Sequence, residues 1–92
     1  MDREGTIQAL RAAYDTLADL PNFTHDSQEA VMRTAAEALG LKAGQFFGTV
    51  RQAVTGQNIS PPLFETMEIL GRYLSLARIK SAISLLESIS AN

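Results

Sequence analysis

Four residues at helical spacing give this 92-residue sequence its clearest chemical signal. Gly44, Gly48, Arg51 and Thr55 follow one another at steps of four, three and four, which puts them on one face of a helix. A guanidinium offers five N–H donors in a planar fork that suits base edges, carboxylates and phosphates. Glycine inside a helix costs about 1 kcal/mol relative to alanine. Two of them bare the backbone, so that another body can approach closely beside the arginine. The plainer alternative is tight helix–helix packing, with Arg51 as a surface charge. A second stretch, Ser60-Pro61-Pro62-Leu63-Phe64-Glu65, makes a stiff corner. Its prolines lack N–H groups, so this helix start is poor in donors for an anion. It presents instead the Ser60 hydroxyl, Leu63 and Phe64. Leu63 shares a stripe with Met67 and Leu70, whereas Phe64 lies about 100° round the helix. A partly exposed Phe64 would suit stacking on an unpaired nucleobase, worth about 1–3 kcal/mol per base. The alternative is that Phe64 belongs to the core.

Most other chemistries lack their residues. There is no cysteine and a single histidine, His25. That excludes disulfides and thiol catalysis and leaves too few ligands for a zinc site of the usual kind. Glu65 and Glu68 stand one turn apart, but nothing beside them suggests a nucleophile, a metal or a substrate pocket. His25 reads as a loop or cap residue. No metal is expected. The net charge is −2, against the strongly basic face usual in a free-standing nucleic-acid binder. The charge is uneven, however: three basic side chains face seven acidic ones in residues 1–40, and five face three in residues 41–92. An anionic partner is therefore expected at the second half. Lys42, Arg33 and Arg72 are candidates for phosphates on charge alone. No apolar run reaches the roughly 18–20 residues of a membrane span, so no membrane partner is expected.

The elements that must position these residues are helices. Ile7, Leu10, Tyr14 and Leu17 form the stripe of a first helix, ended by Leu20-Pro21. Thr24 or Asp26 caps a second, with Met32, Ala35 or Ala36, and Leu39 inward and Gly40 at its end. Ala43, Phe47, Val50 and Val54 stripe a third, closed by Gly56. A fourth starts at Pro61 or Pro62 and carries Leu63, Met67 and Leu70 up to Gly71. The fifth carries Leu76, Ile79, Ile83 and Leu86 and frays over Ser88–Asn92. No stretch alternates as a strand would. The expected fold class is all-α, a five-helix bundle forming one domain over residues 1–92.

Taken in order, Leu41-Lys-Ala-Gly-Gln45, Arg51, Thr55-Gly56, Ser60-Pro-Pro-Leu-Phe-Glu65, Ile69-Leu-Gly71 and Leu76-Ala-Arg-Ile79 resemble the C-terminal anticodon-binding region of bacterial glutamyl-tRNA synthetases. The resemblance is clearest from about Leu20 to Leu85. It implies the helical anticodon-binding fold of this class I synthetase and a role in gripping the anticodon loop of tRNA(Glu). It also implies a piece of a larger, cytoplasmic enzyme, a glutamate–tRNA ligase whose other domains carry the ATP and magnesium chemistry. This part would have no catalytic site and no cofactor of its own, and its partners would be the tRNA and the rest of the synthetase chain. By the same resemblance, Arg51 matches an arginine that contacts anticodon bases. Ser60, Pro61, Leu63 and Phe64 match the loop and helix start that pack on the second and third anticodon nucleotides. Gly48 matches a position that carries a polar base-contacting side chain in other members. Thr49 stands where a proline is frequent. The competing function is a helical protein–protein interaction domain without RNA binding, which the acidic net charge and the Gly44–Gly48 face would also fit.

Overall fold

The structure is a computed structural model that describes residues 2–56 and 62–90. These residues form five helices and no strand: α1 (Arg3–Ala18), α2 (His25–Leu39), α3 (Ala43–Thr55), α4 (Leu63–Leu70) and α5 (Arg72–Ser90). The expected all-α bundle is therefore present. α1 is its post, packed against α2, α3 and α5, while α4 bridges α2, α3 and α5.

Having neighbours on several sides, α1 buries a wider arc than one stripe. Ile7, Ala9, Leu10, Ala13 and Leu17 are all buried. At 100° per residue they span about 160° of the helix surface. Tyr14 sits at the edge of that arc and is only partly buried. Asp2 caps the helix, its carboxylate accepting from the Gly5 N–H at 2.7 Å. Of the two candidate caps for α2, Thr24 is the one used, with its hydroxyl accepting from Ser27 N–H at 3.3 Å. Gly40 ends α2 at φ 73. The Leu41 N–H returns to the Ala36 carbonyl at 2.9 Å, the 6→1 closure that needs a left-handed residue between.

α3 departs from the stripe read in the sequence. Phe46, not Phe47, is the fully buried aromatic, in line with Val50 and Val54. Phe47 is half-buried and packs at the edge of the core. Steps of four and four from Phe46 reproduce the Val50–Val54 line, so the buried face of α3 is turned only about 30° from the expected stripe, enough to exchange Phe47 for Phe46. α4 starts at Leu63 with Pro62 in the cap position, which resolves the choice between the two prolines. Gly71 breaks the chain direction, and α5 runs on as far as Ser90 rather than fraying at Ser88.

Two arginines of α5 close the ends of other helices. The Arg72 Nη1 donates to the Ala18 carbonyl at the end of α1 at 3.1 Å, and its guanidinium lies 5.4 Å from the Phe23 ring. The Arg78 Nη1 donates to the Val54 carbonyl in the last turn of α3 at 2.8 Å. Cations at C-terminal carbonyls satisfy orphan acceptors and complement the helix dipole. Arg72 thus has partners inside the fold, which its reading from charge alone did not include.

Candidate nucleic-acid interface

The glycine face of α3 is open. A Cβ built on Gly44 or on Gly48 would meet nothing within 4 Å. No helix of the bundle packs tightly there, so the two glycines do not serve helix–helix contact within this chain. What they leave is a strip of bare helical backbone on the surface. Arg51 stands one turn beyond Gly48 on that strip. Its side chain is half-buried, and its Nε is wholly buried with no hydrogen-bond partner. A buried donor left without an acceptor is uncommon and marks hydrogen-bonding capacity the fold itself does not use. Below it, the Thr55 hydroxyl donates to the Arg51 carbonyl at 2.8 Å, and the Thr49 hydroxyl to the Gln45 carbonyl at 3.0 Å. Both hydroxyls therefore fold back onto α3.

The start of α4 packs against α3. Phe64, in the first turn of α4, meets Phe47 edge-on, with centroids 4.9 Å apart and planes at 82°. Phe47 precedes Arg51 by four residues, one helical turn. The start of α4 is thereby held against the flank of α3 that carries the arginine. Ser60 and Pro61 lie outside the described residues.

Residues 1–83 match the anticodon binding domain family. The chain belongs to this family. Among curated relatives, a glutamate–tRNA ligase of Roseiflexus castenholzii is 48% identical over 91 residues, covering 99% of this chain and 18% of that protein. One from Dehalococcoides mccartyi is 49% identical over 84 residues, or 91% of this chain and 17% of the relative. One from Solibacter usitatus is 54% identical over 71 residues, or 77% of this chain and 15% of the relative. The chain therefore spans less than a fifth of the length of these relatives.

In this anticodon binding domain the apolar members of the elbow are less accessible than the sequence suggested. Leu63 is 2% exposed and Phe64 is 9% exposed. α4 is short and covered by three neighbours, so a residue 100° from its core stripe still falls among them. Both rings facing Phe64 meet it edge-on: Phe47 as above, and His25 at 5.6 Å and 79°. Of the two alternatives for Phe64, a partly exposed aromatic or a core residue, the structure shows the core one. Phe64 packs the first turn of α4 between α2 and α3 and offers no free face on which a base can stack.

The sequence reading also missed two supports. Glu68 accepts from the His25 N–H at 3.3 Å, so this member of the acidic pair on α4 helps to hold the N-terminus of α2. His25 is the first residue of that helix, with its ring Nδ1 3.1 Å from Asp26. The Arg33 guanidinium lies 5.4 Å from the Phe47 ring centroid. The Glu29–Arg33 spacing of four was visible in the sequence, but the ring beneath it came from another helix.

Proposed function

We propose that this chain is the anticodon-gripping part of a glutamate–tRNA ligase and that Arg51 reads a base edge of the tRNA(Glu) anticodon loop. The observation that carries this reading is the open Gly44–Gly48 strip beside a half-buried arginine. RNA is read in sequence mainly where bases are unpaired and splayed, and an anticodon loop presents such bases. A guanidinium rooted in packing loses less freedom on binding than one free in solvent. Paired with a base edge it discriminates by about 1–3 kcal/mol. The bare backbone at Gly44 and Gly48 allows a nucleotide to come close to α3. Ser60 and Pro61 remain the proposed loop contacts by resemblance. Leu63 and Phe64 contribute by seating the first turn of α4 in the core.

The ligation of glutamate to tRNA, with ATP and magnesium, is assigned to the part of the enzyme outside this chain. Among the described residues no three His, Asp or Glu side chains converge to hold a metal ion. A module with net charge −2 binds an isolated loop weakly. The whole enzyme gains by holding two regions of one tRNA at once, which makes the second contact intramolecular. The relatives' names, glutamate–tRNA ligases, support a translation enzyme, for which a cytoplasmic location is proposed.

The test is titration of the isotopically labelled chain with a tRNA(Glu) anticodon stem–loop. Amide shifts are expected at Gly44, Gly48, Arg51 and the residues flanking the elbow. Shifts confined to the acidic start of α1 would contradict the assignment.

A further inference from the structure

We propose that Arg33 of α2 is a second RNA contact, one that holds a backbone phosphate of the nucleotide lying over α3. The proposal rests on the anticodon-loop reading and names a partner atom class that this reading leaves open. Three features set Arg33 apart from an ordinary surface charge. First, its Nε and Nη2 donate to one oxygen of Glu29, at 2.9 and 2.7 Å. The carboxylate occupies one edge of the fork and leaves the Nη1 hydrogens and the outer Nη2 hydrogen unused. That remaining edge is the one that grips a phosphate with two parallel bonds.

Second, the guanidinium lies against Phe47, 5.4 Å from the ring centroid. Phe47 is itself braced by Phe64. Ring and carboxylate together fix the plane of the fork, so part of the entropy of ordering a long side chain is already spent before a ligand arrives. Third, the position is right. Phe47 adjoins Gly48 in sequence and stands one turn from Arg51. Arg33 therefore lies across the flank of the open strip, with its side chain 56% exposed. A nucleotide whose base reaches Arg51 while its sugar lies over the bare backbone has its phosphate at the strip's margin, where the free edge of Arg33 waits.

The measurement is fluorescence anisotropy of a labelled tRNA(Glu) anticodon stem–loop with this 92-residue chain, over a series of salt concentrations. Arg33→Ala is expected to weaken binding about tenfold at low salt. It should also flatten the slope of log K against log salt by about 0.7, the increment for one phosphate on a single strand. The loss should be the same for stem–loops with altered anticodon bases. Arg51→Ala should instead weaken binding in a manner that depends on those bases. Phe47→Leu, which keeps an apolar side chain and removes the ring, should give a smaller loss with the slope retained. Wild-type affinity and slope in Arg33→Ala, alongside a weakened Arg51→Ala, would overturn the proposal and leave the anticodon reading intact. A loss in Arg33→Ala that varied with base identity would also overturn it. A wild-type chain that failed to bind any of these stem–loops would sink the anticodon reading and the proposal together. Circular-dichroism melting of each variant separates a lost contact from a lost fold.

Discussion

The open strip on α3 predicts that two substitutions stabilise the protein and weaken its function. Gly44 and Gly48 both lie within α3 at negative φ, and an added Cβ at either would touch nothing. Replacement by alanine therefore carries no steric cost and recovers backbone entropy that glycine loses on folding. Gly48 is mid-helix, where the gain is about 1 kcal/mol. Gly44 is the second residue of the helix, where the gain falls to about half that. The double variant should be more stable by about 1.5 kcal/mol, and in a domain of this size each kcal/mol raises Tm by about 4–8 °C. Thermal melting by circular dichroism reads the first effect. Stem–loop affinity, measured on the same samples, reads the second: two methyl groups on the strip should hold the RNA off the backbone and reduce affinity. The reasoning fails if the double variant melts at or below the wild-type temperature. It fails differently if the variant melts higher and binds RNA unchanged, since the bare backbone would then have no part in recognition. Gly40 serves as the control. At φ 73, alanine there should destabilise by about 1–2 kcal/mol, the cost of a left-handed conformation.

Two further predictions concern the frame that holds the site. Phe46→Ala should cost about 3–5 kcal/mol in denaturant unfolding, because the ring is fully buried. Phe47→Ala should cost only about 1–2 kcal/mol; equal losses for the two would contradict the orientation of α3. Arg72→Met keeps an apolar stem but gives up the Ala18 carbonyl and the charge over Phe23, and should lower stability by about 1–2 kcal/mol without altering the salt dependence of RNA binding. A flattened salt slope in that variant would restore Arg72 as a phosphate ligand.

Local rules made much of this fold legible. Gly40, Gly56 and Gly71 end helices where the sequence placed those ends. Met32, Val50, Val54, Met67, Ile79 and Ile83 are buried as their spacing required. What escaped depended on neighbours that spacing does not encode. Phe46 and Phe47 are adjacent aromatics, and the positions of α1, α2, α4 and α5 around α3 decide which one turns inward. Phe64 is buried because α2 and α3 cover the flank of α4 that an isolated helix would expose. Gln28 lies fully buried, its Nε2 donating to the Phe23 carbonyl at 3.2 Å, although its residue type gave no hint of burial. The candidate site was legible as a helix face, since Gly44, Gly48 and Arg51 needed only a count of residues. Whether that face was open or packed required the whole bundle, and so did the ring beneath Arg33.

The aromatic row from Phe47 through Phe64 ends on His25, the single histidine of the chain. Its imidazole touches the first turn of the helix that follows the elbow, yet stands at the far end of the row from Arg33. The Hε1 proton of that ring is accordingly the single imidazole Hε1 of the protein. It makes an unmutated sensor of the first turn of α4, through which the proposed RNA engagement can be followed in a carbon-edited spectrum.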